Sequence, residues 1–185
     1  MSLTSGQYYI TTADGGFPIG RRLAEDRSLL PKGIFKLPLG TESVPPIADV
    51  SPPFFPLPPF TFHTPVFCVV RQWDVEKLDN GNYKLRNRGA IVGGTVGHLF
   101  AFLMEDGAAT VTTEWTIRSD TARTQDGAAA YVITEAGGSI NGWLVPTLSE
   151  IEPYPHVNVG VLIVGPSEPP TFPANEVFMF KKVEA

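Results

Sequence analysis

Of 185 residues only one, Cys68, is cysteine, so no disulfide can form within the chain. Cys68 sits in the apolar run from Val66 to Val70, where a small buried thiol is expected and nothing beside it would hold a thiolate. Histidine is also scarce. His63, His98 and His156 are 35 and 58 residues apart, and no His or Cys pair has metal-ligand spacing, so no metal site and no cofactor are expected. Positive charge is sparse too: 14 basic against 19 acidic residues give a net charge of -5, and no basic run exceeds two residues. That argues against a phosphate-tracking surface and hence against nucleic acid. No window reaches the roughly 18 uninterrupted apolar residues of a membrane-spanning helix, so no membrane partner is expected. The start MSLTSGQYYI lacks the charged and then apolar pattern of a secretion signal, and a cytoplasmic location is the resulting expectation.

What the chain has in quantity is glycine and proline, 18 of each, and both interrupt helices. Between the interruptions lie short segments rich in β-branched and aromatic residues: GQYYITT, FPIGRR, IFKLPL, VFCVVRQWDVEKL, GNYKLRN, HLFAFLM, TEWTIRS, AAYVITEA, GWLVP, VNVGVLIVG and EVFMFKKV. Several alternate polar and apolar residues, and almost nothing repeats with a helical period, so the reading is all-β. EKLDNGNYKLR adds a hairpin signal around Asp79, Asn80 and Gly81, because Asn and Gly tolerate positive φ.

Two small motifs recur in order. A tyrosine followed two residues later by an aliphatic residue occurs at Tyr8, Tyr83 and Tyr131, and each block closes with an aromatic followed two residues later by an apolar residue, at Trp73, Trp115 and Phe178. Residues two apart share one face of a strand, so three equivalent sets can fill a single interior. The pattern suggests a β-trefoil, a six-stranded barrel capped by three hairpins, forming one domain over residues 1–185 with repeats of about 1–78, 79–120 and 121–185. The first block is lengthened by VPPIADVSPPFFPLPPFTFHTP. Its eight prolines stiffen it, and five phenylalanine and leucine residues from Phe54 to Phe62 predict a hydrophobic lid on the barrel, with a partner-binding surface as the alternative.

Catalytic chemistry is hard to find. GAIVGGTVGH lacks the spacing and lysine of a phosphate-binding loop, and its glycines read as turns and barrel bends. GGSINGW places Asn141 where a nucleophile elbow needs glycine, so Ser139 reads as a hairpin turn. Glu105 and Asp106, or Glu150 and Glu152, project from predicted turns, with nothing in the sequence to shift a pKa. An enzyme is not expected.

GRRLAEDRSLLPKGIFKLP, together with MSLTSGQYYI, WDVEKLDNGNYKLRNRG, TEWTIRSD, AYVITEAGG, GWLVP and LIVGPSEPPTFPANEVF, resembles the mushroom serine protease inhibitors of the cospin and cnispin type, β-trefoil proteins of basidiomycete fungi. The similar segments cover the chain nearly end to end, the insertion from Val44 to Pro65 being a departure. The resemblance implies a monomeric inhibitor whose partner is a trypsin-like serine protease. It also implies that contact is made by a loop between the second and third strands, here Leu23 to Lys32.

Within it Glu25, Asp26, Arg27, Ser28 and Leu29 form the candidate protease-binding segment. Arg27 is the candidate for the primary specificity pocket, since a trypsin-like pocket carries a carboxylate at its base, and Ser28 would follow the mimicked scissile bond. Leu29 and Leu30 are expected to plug the loop into the barrel, Pro31 to fix a backbone angle, and Glu25 and Asp26 to accept from backbone amides or from Arg21 and Arg22. Four alternatives stay open at this point. Glu25, Asp26 and Arg27 could pair among themselves as a local turn, or Leu29, Lys32 or another loop could take Arg27's role. A different loop near Gly15 to Phe17, or the proline-rich insertion, could inhibit cysteine proteases. A carbohydrate-binding trefoil would need an exposed aromatic platform, for which Trp143 is the candidate.

Overall fold

The computed structural model describes residues 3–39, 72–94, 96–121, 123, 128–146 and 154–183. Cys68, His63, the Pro and Phe insertion, Glu150 and Glu152, and the expectations for them, therefore lie outside the described residues. Thirteen strands follow in chain order among the described residues: β1 (Gly6–Thr12), β2 (Ile19–Gly20), β3 (Lys32–Gly33), β4 (Phe35–Lys36), β5 (Gln72–Lys77), β6 (Tyr83–Asn87), β7 (Ala90–Gly94), β8 (Gly97–Phe102), β9 (Glu114–Ser119), β10 (Ala129–Glu135), β11 (Asn141–Leu144), β12 (Asn158–Val161) and β13 (Phe178–Lys182). Two single turns of 3-10 helix, Glu105–Ala108 and Ala174–Glu176, are the helical content among these residues. The all-β expectation holds.

Strand pairing runs in a closed circuit. β1 pairs with β5, β5 with β6, β6 with β9, β9 with β10, β10 with β13, and β13 again with β1, all antiparallel. Closure leaves none of these six strands with a free edge. The turn at Asp79, Asn80 and Gly81 joins β5 to β6 as expected: Gly81 has φ 83°, and the Leu78 N–H donates to the Asn82 carbonyl at 2.8 Å. Outside the circuit, β2 pairs with β4, β7 with β8, and β11 with β12. Both β3 and β12 also pair with β8, tying these outer strands together.

The recurring aromatics meet in register. Tyr8 stands opposite Trp73, Tyr83 opposite Trp115, and Tyr131 opposite Phe178, so the same aromatic pair occupies three of the six strand junctions. All six side chains are buried, with Ile10, Leu85, Ile133, Val75 and Phe180 beside them in one core. The indole N–H groups of Trp73 and Trp115 donate to the carbonyls of Ile19 and Val92, at 2.9 and 3.2 Å, which fixes β2 and β7 over the core. In the third place Phe178 has no donor. There the Trp143 ring fills the space, lying 5.6 Å from Trp73, 5.4 Å from Trp115 and 5.9 Å from Phe178, in the tilted or edge-to-face arrangements that aromatic quadrupoles favour.

Trp143 is fully buried, which corrects its reading as an exposed sugar platform. From sequence it looked like the spare tryptophan; in space it lies among Trp73, Trp115 and Phe178. Of the glycine-rich GAIVGGTVGH, Gly89 lies in a turn as expected, with φ 77°, and the reading is corrected for AIVGG. It forms the buried strand β7, and its glycines serve close packing: a methyl group on Gly93 would come within 2.8 Å of the Thr112 carbonyl oxygen. Ser139 does lie in a turn, donating to Glu135 and accepting from the Asn141 N–H, each at 3.0 Å.

Trp143→Ala removes the ring that touches three other core aromatics and is expected to cost about 3–5 kcal/mol of folding stability. Urea unfolding followed by tryptophan fluorescence and far-ultraviolet circular dichroism measures this, and a loss below about 1 kcal/mol would contradict the central placement.

Candidate functional site

The segment from Arg21 to Pro31 leaves β2 and returns as β3. Its base is closed by the β2–β4 pair, Ile19 opposite Lys36 and Gly20 opposite Phe35. Its far end is held by β8, with Lys32 opposite Ala101 and Gly33 opposite Phe100. The loop is short, charged and rich in residues that favour turns. What gives it one shape is three sets of side-chain contacts, all reaching beyond its own backbone.

The first set is at the entry. The Arg21 N–H donates to Oδ1 of Asn87 at 3.1 Å, and the fully buried Asn87 in turn donates to the Gln72 carbonyl at 3.3 Å. The Arg21 guanidinium, itself buried, donates two bonds to the Glu25 carboxylate, from Nε to Oε1 at 3.0 Å and from Nη2 to Oε2. Two parallel charge-assisted bonds in a site shielded from water hold more firmly than an exposed pair. Arg88 adds to this cluster, its Nη1 donating to the Arg22 carbonyl at 3.2 Å and lying 4.0 Å from Glu25 Oε2. Arg88 reaches that place from the two-residue turn between β6 and β7, where Arg88 and Gly89 both have positive φ, 54° and 77°.

The second set is at the tip. Oδ1 of Asp26 accepts from the Ser28 N–H at 2.8 Å, from the Ser28 hydroxyl and from the Lys32 ammonium, and Lys32 Nζ also donates to Ser28 Oγ at 3.0 Å. Lys32 is only 6% exposed, whereas the Asp26 side chain is 71% exposed, so the pair joins a buried cation to an exposed carboxylate. The Lys32 and Ser28 hydrogen bonds hold the Asp26 carboxyl down at about 2.

The third set lies beneath the loop. The Arg22 guanidinium sits 4.0 Å over the Phe35 ring, and Phe35 stacks on His156 at 4.3 Å. His156 also packs against His98 and Phe100. Burial first, and then the neighbouring His98 and Arg22 charges, push the His156 ring down to about 4, so it is neutral at neutral pH. Gly33 makes room for it, because a side chain there would strike the imidazole Nε2.

These contacts decide between several expectations. Glu25 accepts from Arg21 and Asp26 from the Ser28 backbone amide as anticipated, but Arg22 goes to Phe35, and the cation beside Asp26 is Lys32. With both acids engaged, Arg27 is exposed and has no ion pair or side-chain hydrogen bond among the described residues, so the local turn in which it pairs with Glu25 does not form. Lys32 is buried and paired rather than projecting. Leu29 and Leu30 do not plug the loop into the body: each is 67% exposed, because polar anchors already occupy the inner side of the loop. Asn87, Arg88, Phe35 and His156 escaped the sequence reading. Only the arginine and glycine of NRG, a two-residue turn, hinted at one of them. Among the described residues no three His, Cys, Asp or Glu side chains are grouped to hold a metal ion.

The all-β body thus holds one short loop by ion pairs at both ends, and Arg27 at its tip is exposed with no ion pair among the described residues. The chain belongs to the peptidase inhibitor I66 family, whose model matches residues 1–48 and 56–182, and it is therefore an inhibitor rather than an enzyme. It is 34% identical to a serine protease inhibitor of Lentinula edodes over 183 residues, 99% of this chain and 100% of that one. Among solved structures, the proteinase inhibitor from Coprinopsis cinerea is similar at 31% identity and a TM-score of 0.72, covering 98% of this chain and 100% of that one. SeviL, solved bound to the asialo-GM1 saccharide, has a TM-score of 0.52 at 14% identity over 98% of this chain and 100% of its own, a likeness of fold alone. The resemblance to mushroom inhibitors is thus correct.

The depressed Asp26 carboxyl has a pH consequence. A folded-state pKa below the ordinary 3.8 means that its contribution to loop order is complete above about 3.8 and disappears as pH falls through about 2. Carboxyl carbon NMR should place the Asp26 midpoint at about 2, and a midpoint at or above 3.8 would show that Lys32 does not engage it.

Proposed function

We propose that the protein is a single β-trefoil domain, with blocks of about 1–78, 79–120 and 121–185, that inhibits trypsin-like serine proteases through the loop segment Glu25, Asp26, Arg27, Ser28 and Leu29. Support for the trefoil is the closed circuit of six strands, the three equivalent tyrosine-to-aromatic junctions and the three outer strand pairs. The family and the printed names of the Lentinula and Coprinopsis relatives support the inhibitor reading.

The observation that carries the loop is the state of its charges. Glu25 is bound by Arg21, and Asp26 is bound by Lys32 and Ser28, while Arg27 between Asp26 and Ser28 is exposed to solvent and has no partner among the described residues. A carboxylate-based specificity pocket would accept that guanidinium through two parallel hydrogen bonds in a desolvated site. Because the segment is ordered before it meets the protease, little conformational entropy remains to be lost on docking. The acids beside Arg27 do not repel such an enzyme as free carboxylates would, since each already has a cation against it.

Arg27→Ala is expected to weaken trypsin inhibition by about a hundredfold or more, the loss typical of a buried interface anchor. Arg27→Lys should retain most of it, and chymotrypsin inhibition should change little in either variant. Inhibition constants measured against both enzymes check this, and an Arg27→Ala protein that inhibits trypsin as well as the wild type would overturn the assignment.

A further inference from the structure

Lys32 does more than neutralise Asp26. Its ammonium contacts Asp26 Oδ1 and Ser28 Oγ together, and these two residues flank Arg27. The N–H that Ser28 donates to Asp26 at 2.8 Å is the nitrogen of the Arg27–Ser28 peptide bond itself. Each side of that bond is also held independently. Upstream, Glu25 is bound to Arg21, whose own N–H is bound to Asn87. Downstream, Lys32 and Gly33 are paired with Ala101 and Phe100 of β8. The Lys32 side chain returns from that downstream anchor, across the bond, to the upstream residue Asp26.

We propose that Lys32 is a positioning residue that staples the two sides of the Arg27–Ser28 bond, so that cleavage of this bond by a bound serine protease is reversed rather than completed. The inference rests on the reading of the loop as the substrate-like segment. When the protease serine oxygen adds to the Arg27 carbonyl carbon, the bond to Ser28 breaks. The Ser28 nitrogen takes the proton given up by the serine hydroxyl, which leaves an acyl-enzyme on Arg27 and a free amine on Ser28. With an ordinary substrate that amine departs, and water takes its place and releases the Arg27 carboxylate. Here the amine is tethered within a few ångströms, at a local concentration far above any free competitor of its kind. Its lone pair adds back to the acyl carbon, the serine oxygen leaves and recovers its proton, and the peptide bond is remade with no atom gained or lost.

The test uses the full-length protein as wild type, Lys32→Met and Lys32→Arg, incubated with trypsin. Two quantities are followed: the initial inhibition constant, and the rate of hydrolysis at Arg27–Ser28 read by denaturing mass spectrometry as the gain of one water and two fragments. The wild type should inhibit for hours and stay largely intact. Lys32→Met should begin as an inhibitor but be hydrolysed at Arg27–Ser28 at least about tenfold faster, the factor that loss of one charge-assisted hydrogen bond implies. Lys32→Arg should restore slow hydrolysis. A split between near-normal initial inhibition and fast hydrolysis would not arise from a general loss of structure. If thermal melting shows that Lys32→Met does not fold, Lys32→Gln removes the same charge while keeping a polar side chain in its place, and is read in the same way. Slow hydrolysis in a folded variant would overturn the staple and leave the Arg27 assignment standing. A wild type that neither inhibits trypsin nor is cut at Arg27–Ser28 would overturn the loop reading and the staple with it.

Discussion

The contact on which the rest of this structure depends is the packing of the Trp143 ring against Trp73, Trp115 and Phe178. A circuit of six strands encloses a space that must be filled to the density of an organic crystal, and the strands cannot move apart to suit a poor fit without losing closure. Three aromatics from three strand junctions nearly fill it. One of them is phenylalanine rather than tryptophan, and the fourth ring occupies what it leaves. Because the indoles of Trp73 and Trp115 also hold the carbonyls of Ile19 and Val92, the interior sets the height of β2 and β7. Both strands frame the loop: β2 leads into it, and β7 follows the turn that carries Arg88.

Above that hard interior the loop is held in a different manner. Its anchors are charges and amides, not apolar plugs, and each anchor has one member in a more rigid element: Asn87 at the end of β6, Arg88 in the following turn, Lys32 on β3, and Phe35 on β4. Directional bonds suit a segment that must keep one shape while exposing its outer side, because they fix orientation without covering the residues in between.

The parts of the fold that repeat were the parts that could be read from the sequence. Tyr8, Tyr83 and Tyr131, with Trp73, Trp115 and Phe178, announced an alternating pattern that only an all-β interior uses, and their registers agree across three junctions. The parts that occur once were harder. Trp143 has no counterpart among the repeated motifs, so nothing in the sequence said that it fills the space beside Phe178. AIVGG was mistaken because crowding by Thr112 and glycine turns leave the same residues in the chain. At the site, the charged residues of the loop were recognisable, and the partners of Arg21, Glu25 and Asp26 fall within one or two turns of chain. Asn87 and Arg88 lie 66 residues from the backbone groups of Arg21 and Arg22 that they bind, a distance at which no local rule applies. The two exposed leucines were misplaced because burial was inferred from hydrophobicity alone, whereas the buried residue of this stretch is the ion-paired Lys32.

The alternation of bound and free positions along the loop has an evolutionary meaning. Residues 21, 25, 26, 28 and 32 face their anchors, while Leu23, Arg27, Leu29 and Leu30 face outward. Under the proposed role of the loop, the determinants of shape and the determinants of target are carried by different residues of one short stretch. Substitutions in the outward set would then change what is recognised without touching the frame, so that a lineage under pressure from a changing set of proteases could vary its target at these positions while its fold is conserved. A designer grafting a new recognition sequence would find the same division already made.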